Sequence, residues 1–149
     1  MSRAAIASVL LTTAVAAVVA GCTPGTETQA GAVPPEHPSE TLAPVFEQVL
    51  PNVTDKTFTS AIVTFPPAAQ AVPHRHGDAF VYAYVLDGTV SSQLEGEPAR
   101  IYHQGENWSE QPGAHHLDTE NVSLTDPAKL LVVFIATTGQ ALKIDDPHS

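Results

Sequence analysis

The chain has 149 residues, with 16 acidic against 6 basic side chains and a formal net charge of −10. So acidic a protein is a poor partner for nucleic acid and for a membrane contact made by basic side chains. Cys22 is the only cysteine, which excludes an internal disulfide bond. The length suits one domain with one hydrophobic core.

Residues 1–21 have the composition of an export signal. Arg3 is the only charge before an uncharged run from Ala4 to Ala20, and the run ends in the tetrapeptide Val-Ala-Gly-Cys at Cys22. A basic start, an apolar centre and a small-residue cleavage site are typical of a secretory signal peptide. The tetrapeptide resembles the lipobox of bacterial lipoproteins. That resemblance implies a lipidated Cys22 and an extracytoplasmic protein of the cell envelope, held to the membrane by acyl chains. The alternatives are a plain signal peptide that leaves a free thiol, or an intermolecular disulfide at Cys22.

Residues 22–41 are predicted to be a flexible tether between this anchor and the folded domain. The segment from Thr23 to Ser39 is rich in Thr, Pro, Gly, Ala and Glu and has no Phe, Tyr or Trp. Such a composition cannot bury a core. The domain is therefore predicted to occupy residues 42–149. Its first apolar residues, between Pro44 and Pro51, are compatible with a short helix or with an edge strand.

The remainder of the chain has the pattern of an all-β protein. Asp87-Gly88 is a strong signal for a two-residue hairpin, and turn residues recur every eight to twelve positions. The uninterrupted apolar run at 130–136 predicts a strand buried on both faces. No internal repeat is present, so one sandwich or barrel is expected. Strands are predicted at 58–65, 80–86, 89–94, 99–103, 107–110, 114–118 and 130–136.

Histidines are placed where a metal site would need them. His74 and His76 lie two positions apart, so in an extended strand both imidazoles point to one face while Arg75 points to the other. A second pair, His115 and His116, follows a Pro-Gly turn and can supply a third nitrogen from across a barrel. A shift of one residue in strand register would exchange the roles of His115 and His116, because it would turn the other side chain to the interior.

These residues resemble the two motifs of the cupin superfamily. The first motif is H-x-H, three or four residues, E, six residues and G, and it is matched by His74, His76 and Gly88. The second is G, five residues, P-x-G, two residues and H, and Gly105, Gly113 and His116 match it. The resemblance covers about residues 57–137 and implies a single jelly-roll barrel that holds one divalent metal ion on His74, His76 and His116.

Two motif positions depart from the pattern: Val81 stands in the glutamate position, and Gln111 in the proline position. Val81 cannot bind a metal, and Asp78 beside Gly77 is expected to belong to a turn. Glu110, on the strand before the second turn, and Gln93, on the strand after the hairpin, are the candidates for a fourth ligand. Glu110 is also the candidate acid–base group.

The expected cofactor is one divalent metal ion. Without a carboxylate from the first motif, an imidazole site favours Zn²⁺, Cu²⁺ or Ni²⁺ over Mn²⁺ or Fe²⁺. The fold hosts many functions, so two hypotheses stay open: a module that binds or senses a small molecule, and a metal-dependent oxygenase or isomerase. The expected partners are a small molecule, the membrane through Cys22 and, in a homodimer, a second copy of the chain.

Overall fold

The protein is described here from a computed structural model, which covers residues 38–147. Cys22, the predicted signal peptide at 1–21 and the predicted tether up to residue 37 lie outside this range. Within it the chain forms strands and no α-helix, so no helix there has the length and hydropathy needed to span a membrane. The strands are β1 (Thr41–Val49), β2 (Lys56–Phe65), β3 (His74–Arg75), β4 (Phe80–Asp87), β5 (Thr89–Leu94), β6 (Arg100–His103), β7 (Asn107–Glu110), β8 (His115–Asn121), β9 (Ala128–Thr137) and β10 (Ile144–Asp145).

The strands form two five-stranded antiparallel sheets. The order in the first sheet is β1-β2-β9-β4-β7, and the order in the second is β10-β3-β8-β5-β6. Consecutive strands alternate between the sheets in several places, which gives the jelly-roll connectivity expected from the sequence. The prediction of an all-β, single jelly-roll barrel is confirmed.

The first sheet buries one face of each central strand in the core. In β4 and β9 the buried residues alternate with half-buried ones, as the two-residue period of a strand requires. The prediction that the run at 130–136 is buried on both faces is therefore wrong for the isolated chain: Val132 and Phe134 are buried, but Val133 is not. The outer face of the first sheet carries the half-buried side chains Phe58, Ile62, Phe80, Tyr82, Tyr84, Leu131, Val133 and Ile135.

The segment for which a helix and an edge strand were both open is the edge strand β1. It pairs along one side with β2, and all nine of its residues are exposed. Phe46 packs edge-on against Phe58 with ring centroids 6.1 Å apart. The edge strand begins at Thr41.

Gly88 lies at the turn between β4 and β5 with a φ of +79°. The two strands belong to different sheets and do not pair with each other, so the hairpin predicted at Asp87-Gly88 is wrong and the turn leads from one sheet to the other. A Cβ atom at this position would lie 2.9 Å from Ala128 on β9. Both the left-handed backbone and this close approach require glycine, which explains the motif glycine.

Candidate metal centre

The three predicted histidines come together in the interior. His74 and His76 stand on and directly after the short strand β3, which lies between β8 and β10. His74 is the direct cross-strand partner of His116 on β8. All three side chains are buried, and each offers one nitrogen atom such that these atoms lie within 4.8 Å of one another. This spacing suits coordination of a single metal ion.

Backbone carbonyls orient two of the rings. His74 Nδ1 lies 2.7 Å from the Val72 carbonyl oxygen, and His76 Nδ1 lies 2.5 Å from the Leu142 carbonyl oxygen. A carbonyl can only accept, so Nδ1 carries the proton in both rings and Nε2 keeps its lone pair. This arrangement is typical of histidines that ligate metal, because the outer hydrogen bond fixes the tautomer and the ring orientation.

His116 is held by two hydroxyl groups. Its Nε2 lies 2.9 Å from Ser92 Oγ and 2.6 Å from Thr119 Oγ1, and both residues are buried. Its Nδ1 makes no hydrogen bond and lies 3.2 Å from Glu110 Oε1. Ser92 and Thr119 were not among the predicted site residues, because serine and threonine on strands carry no local signal for this role.

Glu110 faces the histidines from the first sheet. Only 2% of the residue is exposed, and its Oε1 accepts a hydrogen bond from Trp108 Nε1 at 3.2 Å. Its Oε2 has no hydrogen-bond partner and lies 3.7 Å from His76 Nε2. Glu110 is also the direct cross-strand partner of Val81 in the pairing of β4 with β7. The carboxylate therefore lies beside the position where the cupin motif has its glutamate, on the neighbouring strand.

Burial and mutual contacts set the charge of this cluster. Burial lowers the pKa of His74 to about 4, against a smaller opposing effect of the Val72 hydrogen bond. Burial also lowers the pKa of His76, although the nearby Glu110 carboxylate opposes it. Burial raises the pKa of Glu110, but the contacts with His116, His76 and Trp108 outweigh it and the net shift is downward. Neutral imidazoles at His74 and His76 and an ionised Glu110 carboxylate are thus the expected state at neutral pH.

This state fits a bound cation. A buried carboxylate oxygen and a buried imidazole nitrogen without hydrogen bonds each cost free energy, about 1–3 kcal/mol for a neutral group and more for a charged one. Both atoms adjoin the same cluster, so one cation there would satisfy Glu110 and His116 together. The imidazole and carboxylate donors are the types that first-row divalent metals use in proteins.

A cavity of about 120 Å³ adjoins the cluster. Its walls are mainly buried apolar side chains, among them Phe65, Val132 and Phe134. Three of its lining residues are not buried, and they form what we call the rim: Glu40, Leu42 and Lys143. A ligand at the metal would therefore have apolar surroundings and one exposed side.

Ion pairs at the rim connect the two ends of the described part of the chain. Lys143 Nζ lies 2.6 Å from Glu40 Oε1 and 2.9 Å from Asp145 Oδ1. Burial lowers the pKa of Lys143, but the two carboxylates outweigh it and raise the pKa overall. The pair of Lys143 and Glu40 was not predicted from the sequence, since the two residues are 103 positions apart.

Other residues considered from the sequence lie away from the cluster. Gln93 does not line the cavity; it lies at a β-bulge, and its amide donates to the Glu97 carbonyl oxygen at 3.2 Å. Asp78 belongs to a turn and pairs with Lys56 at 2.7 Å. His115 points to the opposite face from His116 and contacts Asp146 at 2.7 Å. The exposed His103 contacts Glu106 at 3.2 Å.

Comparison with known proteins agrees with this architecture. Residues 61–134 match the family model described as the Cupin domain. A search of curated proteins gives no match. Among solved structures, the double-stranded beta-helix domain protein of Klebsiella pneumoniae superposes with a TM-score of 0.56 at 16% identity, covering 78% of this chain and 91% of that one.

Two further structures are similar over part of their length. The DMSP lyase DddQ of Ruegeria pomeroyi superposes with a TM-score of 0.58 at 20% identity, covering 71% of this chain and 51% of that one. The Cnp3 cupin domain of Schizosaccharomyces pombe gives 0.55 at 14% identity, covering 66% of this chain and 61% of that one. The present chain thus spans less than two thirds of either, and at these identities the similarity concerns the fold alone. With its motif histidines gathered inside a jelly roll, this chain carries a cupin domain.

Proposed function

We propose that the domain binds one divalent metal ion through His74, His76 and His116, with Glu110 as the fourth protein ligand. The observation that carries the proposal is the orphaned Glu110 Oε2, a buried carboxylate oxygen 3.7 Å from His76 Nε2. A buried carboxylate without a hydrogen-bonded partner is unfavourable unless a cation balances it. Residues directly opposite across antiparallel strands have Cβ atoms about 4.5–5.5 Å apart. A glutamate at position 81 on β4 and the glutamate at position 110 on β7 can therefore reach the same site.

The proposed carboxylate alters the expectation for the metal. The preference for Zn²⁺, Cu²⁺ or Ni²⁺ followed from the absence of a carboxylate at Val81. With Glu110 in the donor set, Mn²⁺ and Fe²⁺ become suitable as well, since carboxylate oxygen is a harder ligand than imidazole nitrogen. Intrinsic affinity still rises from Mn²⁺ towards Cu²⁺, so the metal acquired in the cell depends on supply.

The proposed role of the metal is to bind a small molecule in the adjoining cavity. The closeness of the histidine cluster to an apolar cavity supports this role, because such cavities with a few convergent polar groups are typical ligand sites. A bound divalent metal supplies Lewis acidity to an oxygen atom of the ligand. The surrounding apolar side chains exclude water from the ligand, and the histidines keep their lone pairs directed to the metal.

Metal binding is tested on protein purified without a histidine tag. We expect elemental analysis to give one metal ion per chain after incubation with Zn²⁺, Cu²⁺, Mn²⁺, Ni²⁺ or Fe²⁺ and dialysis. The double variant His74→Ala/His76→Ala should bind none, whereas the matched control His103→Ala should bind normally, because His103 is exposed and remote from the cluster. Metal-free wild-type protein, or normal binding by the double variant, would contradict the proposal.

A metal-dependent oxygenase or isomerase is the second candidate. The observation that favours it is the burial of Glu110 beside the histidines, because a carboxylate in an apolar site can serve as an acid–base group. Turnover screens of the metal-loaded protein on small oxygenase, isomerase and lactone substrates test this candidate. Activity that is lost in His116→Ala and unchanged in Glu110→Gln would refute the role of Glu110 and leave the metal site standing.

We further propose that the domain is carried on a lipid-anchored protein in the bacterial cell envelope. The support is the Val-Ala-Gly-Cys tetrapeptide after an uncharged run, followed by a polar tether. Fractionation of cells that express a Cys22→Ser variant tests the anchor. We expect unprocessed precursor to accumulate; a processed and membrane-bound Cys22→Ser protein would mean that something other than Cys22 holds it.

A further inference from the structure

The size of the cavity limits what can bind beside the metal. Its volume is about 120 Å³, and an engineered apolar cavity of about 150 Å³ holds one benzene molecule. The ligand beyond its metal-binding group is therefore restricted to about six heavy atoms. Larger molecules would have to displace buried side chains such as Phe65 and Phe134, which belong to the close-packed core.

The charges around the cavity limit the ligand further. Among the described residues, Glu110 is the one buried acidic side chain that lines it, and the imidazoles are neutral when they ligate a metal. A divalent cation with one carboxylate leaves a single positive charge. One anionic oxygen group on the ligand would neutralise it.

The far side of the cavity offers no place for a second anion. The buried walls there are apolar, and Lys143 at the rim is already paired with Glu40 and Asp145. A second negative charge would be buried without a partner or would face these two carboxylates. Either position is unfavourable.

We propose that the ligand is a small organic monoanion: one carboxylate or enolate group on the metal, joined to an uncharged, apolar body of about four to six heavy atoms. The inference rests on the metal site proposed above. It adds the class of ligand, which follows from the volume of the cavity, the apolar walls and the single uncompensated charge.

The test is a series of carboxylates titrated into the Zn²⁺-loaded protein. Trp108 is the only tryptophan of the chain and lines the cavity, so its fluorescence reports occupancy, and calorimetry supplies a second readout. We expect affinity to rise by about fourfold per methylene from acetate to pentanoate, since burial of one CH₂ group contributes about 0.8 kcal/mol. Octanoate and 2-naphthoate should bind more weakly than pentanoate and benzoate. Adipate, a dicarboxylate, should bind at least tenfold more weakly than pentanoate.

A matched pair of variants distinguishes the effect of cavity volume from a general effect of substitution on β9. Val132→Ala removes two carbons from the cavity wall, whereas Val133→Ala makes the same change on the outer face of β9. We expect the preferred chain length to increase by about two carbons in the first variant and to stay unchanged in the second. Thermal unfolding and Zn²⁺ titration of each variant establish that both remain folded and metal-loaded.

The outcomes distinguish the inference from the proposal on which it rests. Normal Zn²⁺ binding with no dependence on chain length, or with adipate as tight as pentanoate, overturns the ligand class alone. The second of these results would mean that Lys143 leaves Glu40 for the ligand. Failure of Zn²⁺ binding in the wild-type protein overturns the metal site and the ligand class together.

Discussion

Replacement of Glu110 by glutamine separates a metal ligand from a merely structural carboxylate. The glutamine keeps the oxygen that accepts from Trp108 and removes the charge that faces His76 and His116. In the metal-free protein the change removes a buried charge without a hydrogen bond on Oε2, but it also removes the contacts with His116 and His76 that lower the pKa of Glu110. These two effects oppose each other, so we expect the metal-free variant to be about as stable as the wild type.

The effect on metal binding should be in the opposite direction. Loss of an outer contact to a metal site typically weakens affinity by about 10- to 100-fold, and loss of a charged ligand should reach at least this range. At a metal concentration 100 times the wild-type Kd, metal stabilises the wild type by about 2.7 kcal/mol. The same concentration should stabilise Glu110→Gln by only about 0.4–1.4 kcal/mol, by the same relation.

The assay is urea unfolding with and without Zn²⁺, combined with a direct titration of the metal. A double variant, Val81→Glu/Glu110→Val, moves the carboxylate to the strand where the motif has it. It should recover most of the affinity that Glu110→Val loses. The reasoning is refuted if Glu110→Gln binds Zn²⁺ within twofold of the wild type, or if the double variant binds no better than Glu110→Val.

Three other outcomes are expected. First, His74 should lower the free energy of unfolding of the metal-free protein by about 2–3 kcal/mol between pH 6.5 and pH 4, measured by urea titration in EDTA: its pKa is about 4 in the folded state against 6.5, so the unfolded state takes up more of the proton in that interval. His74→Ala should make this dependence shallower without removing it, because the pKa of His76 is lowered as well; a flat wild-type profile would contradict the assignment. Second, Ser92→Ala/Thr119→Val should weaken metal binding by about tenfold, because His116 loses the hydroxyls that orient it; unchanged affinity would show that packing alone holds the ring. Third, if the outer face of the first sheet joins two copies, Ile135→Lys should convert a dimer to a monomer in light scattering, and a wild-type monomer would exclude this assembly.

Local patterns in the sequence were sufficient for seven of the ten strands, β2 and β4 to β9, and for the histidines. The alternation of apolar residues and the Asp87-Gly88 turn are local signals, and so is the spacing of His74 and His76. The burial of β9 was overestimated because periodicity cannot tell an apolar outer face from a second core face. Both look like a continuous hydrophobic run.

Contacts between strands that are distant in the chain could not be predicted from the sequence. Glu110 was a candidate from the sequence, but the choice between it and Gln93 depends on the register of β4 against β7, where Val81 is its partner, and no local pattern specifies that register. The two hydroxyl groups that contact His116 belong to Ser92 on β5 and Thr119 on β8. Such contacts follow from the topology of the two sheets, which becomes evident only when all strands are in place.

The segment from residue 142 to residue 146 has a consequence for the order of synthesis. It supplies the carbonyl that orients His76, the Lys143 side chain at the rim and the strand β10 that pairs with His74 and Arg75. A ribosome-bound chain that has exposed both motifs therefore still lacks part of their support. Metal loading should follow synthesis of this segment rather than guide the early folding of the chain, and removal of the segment from the folded protein should release the metal while most of the barrel persists.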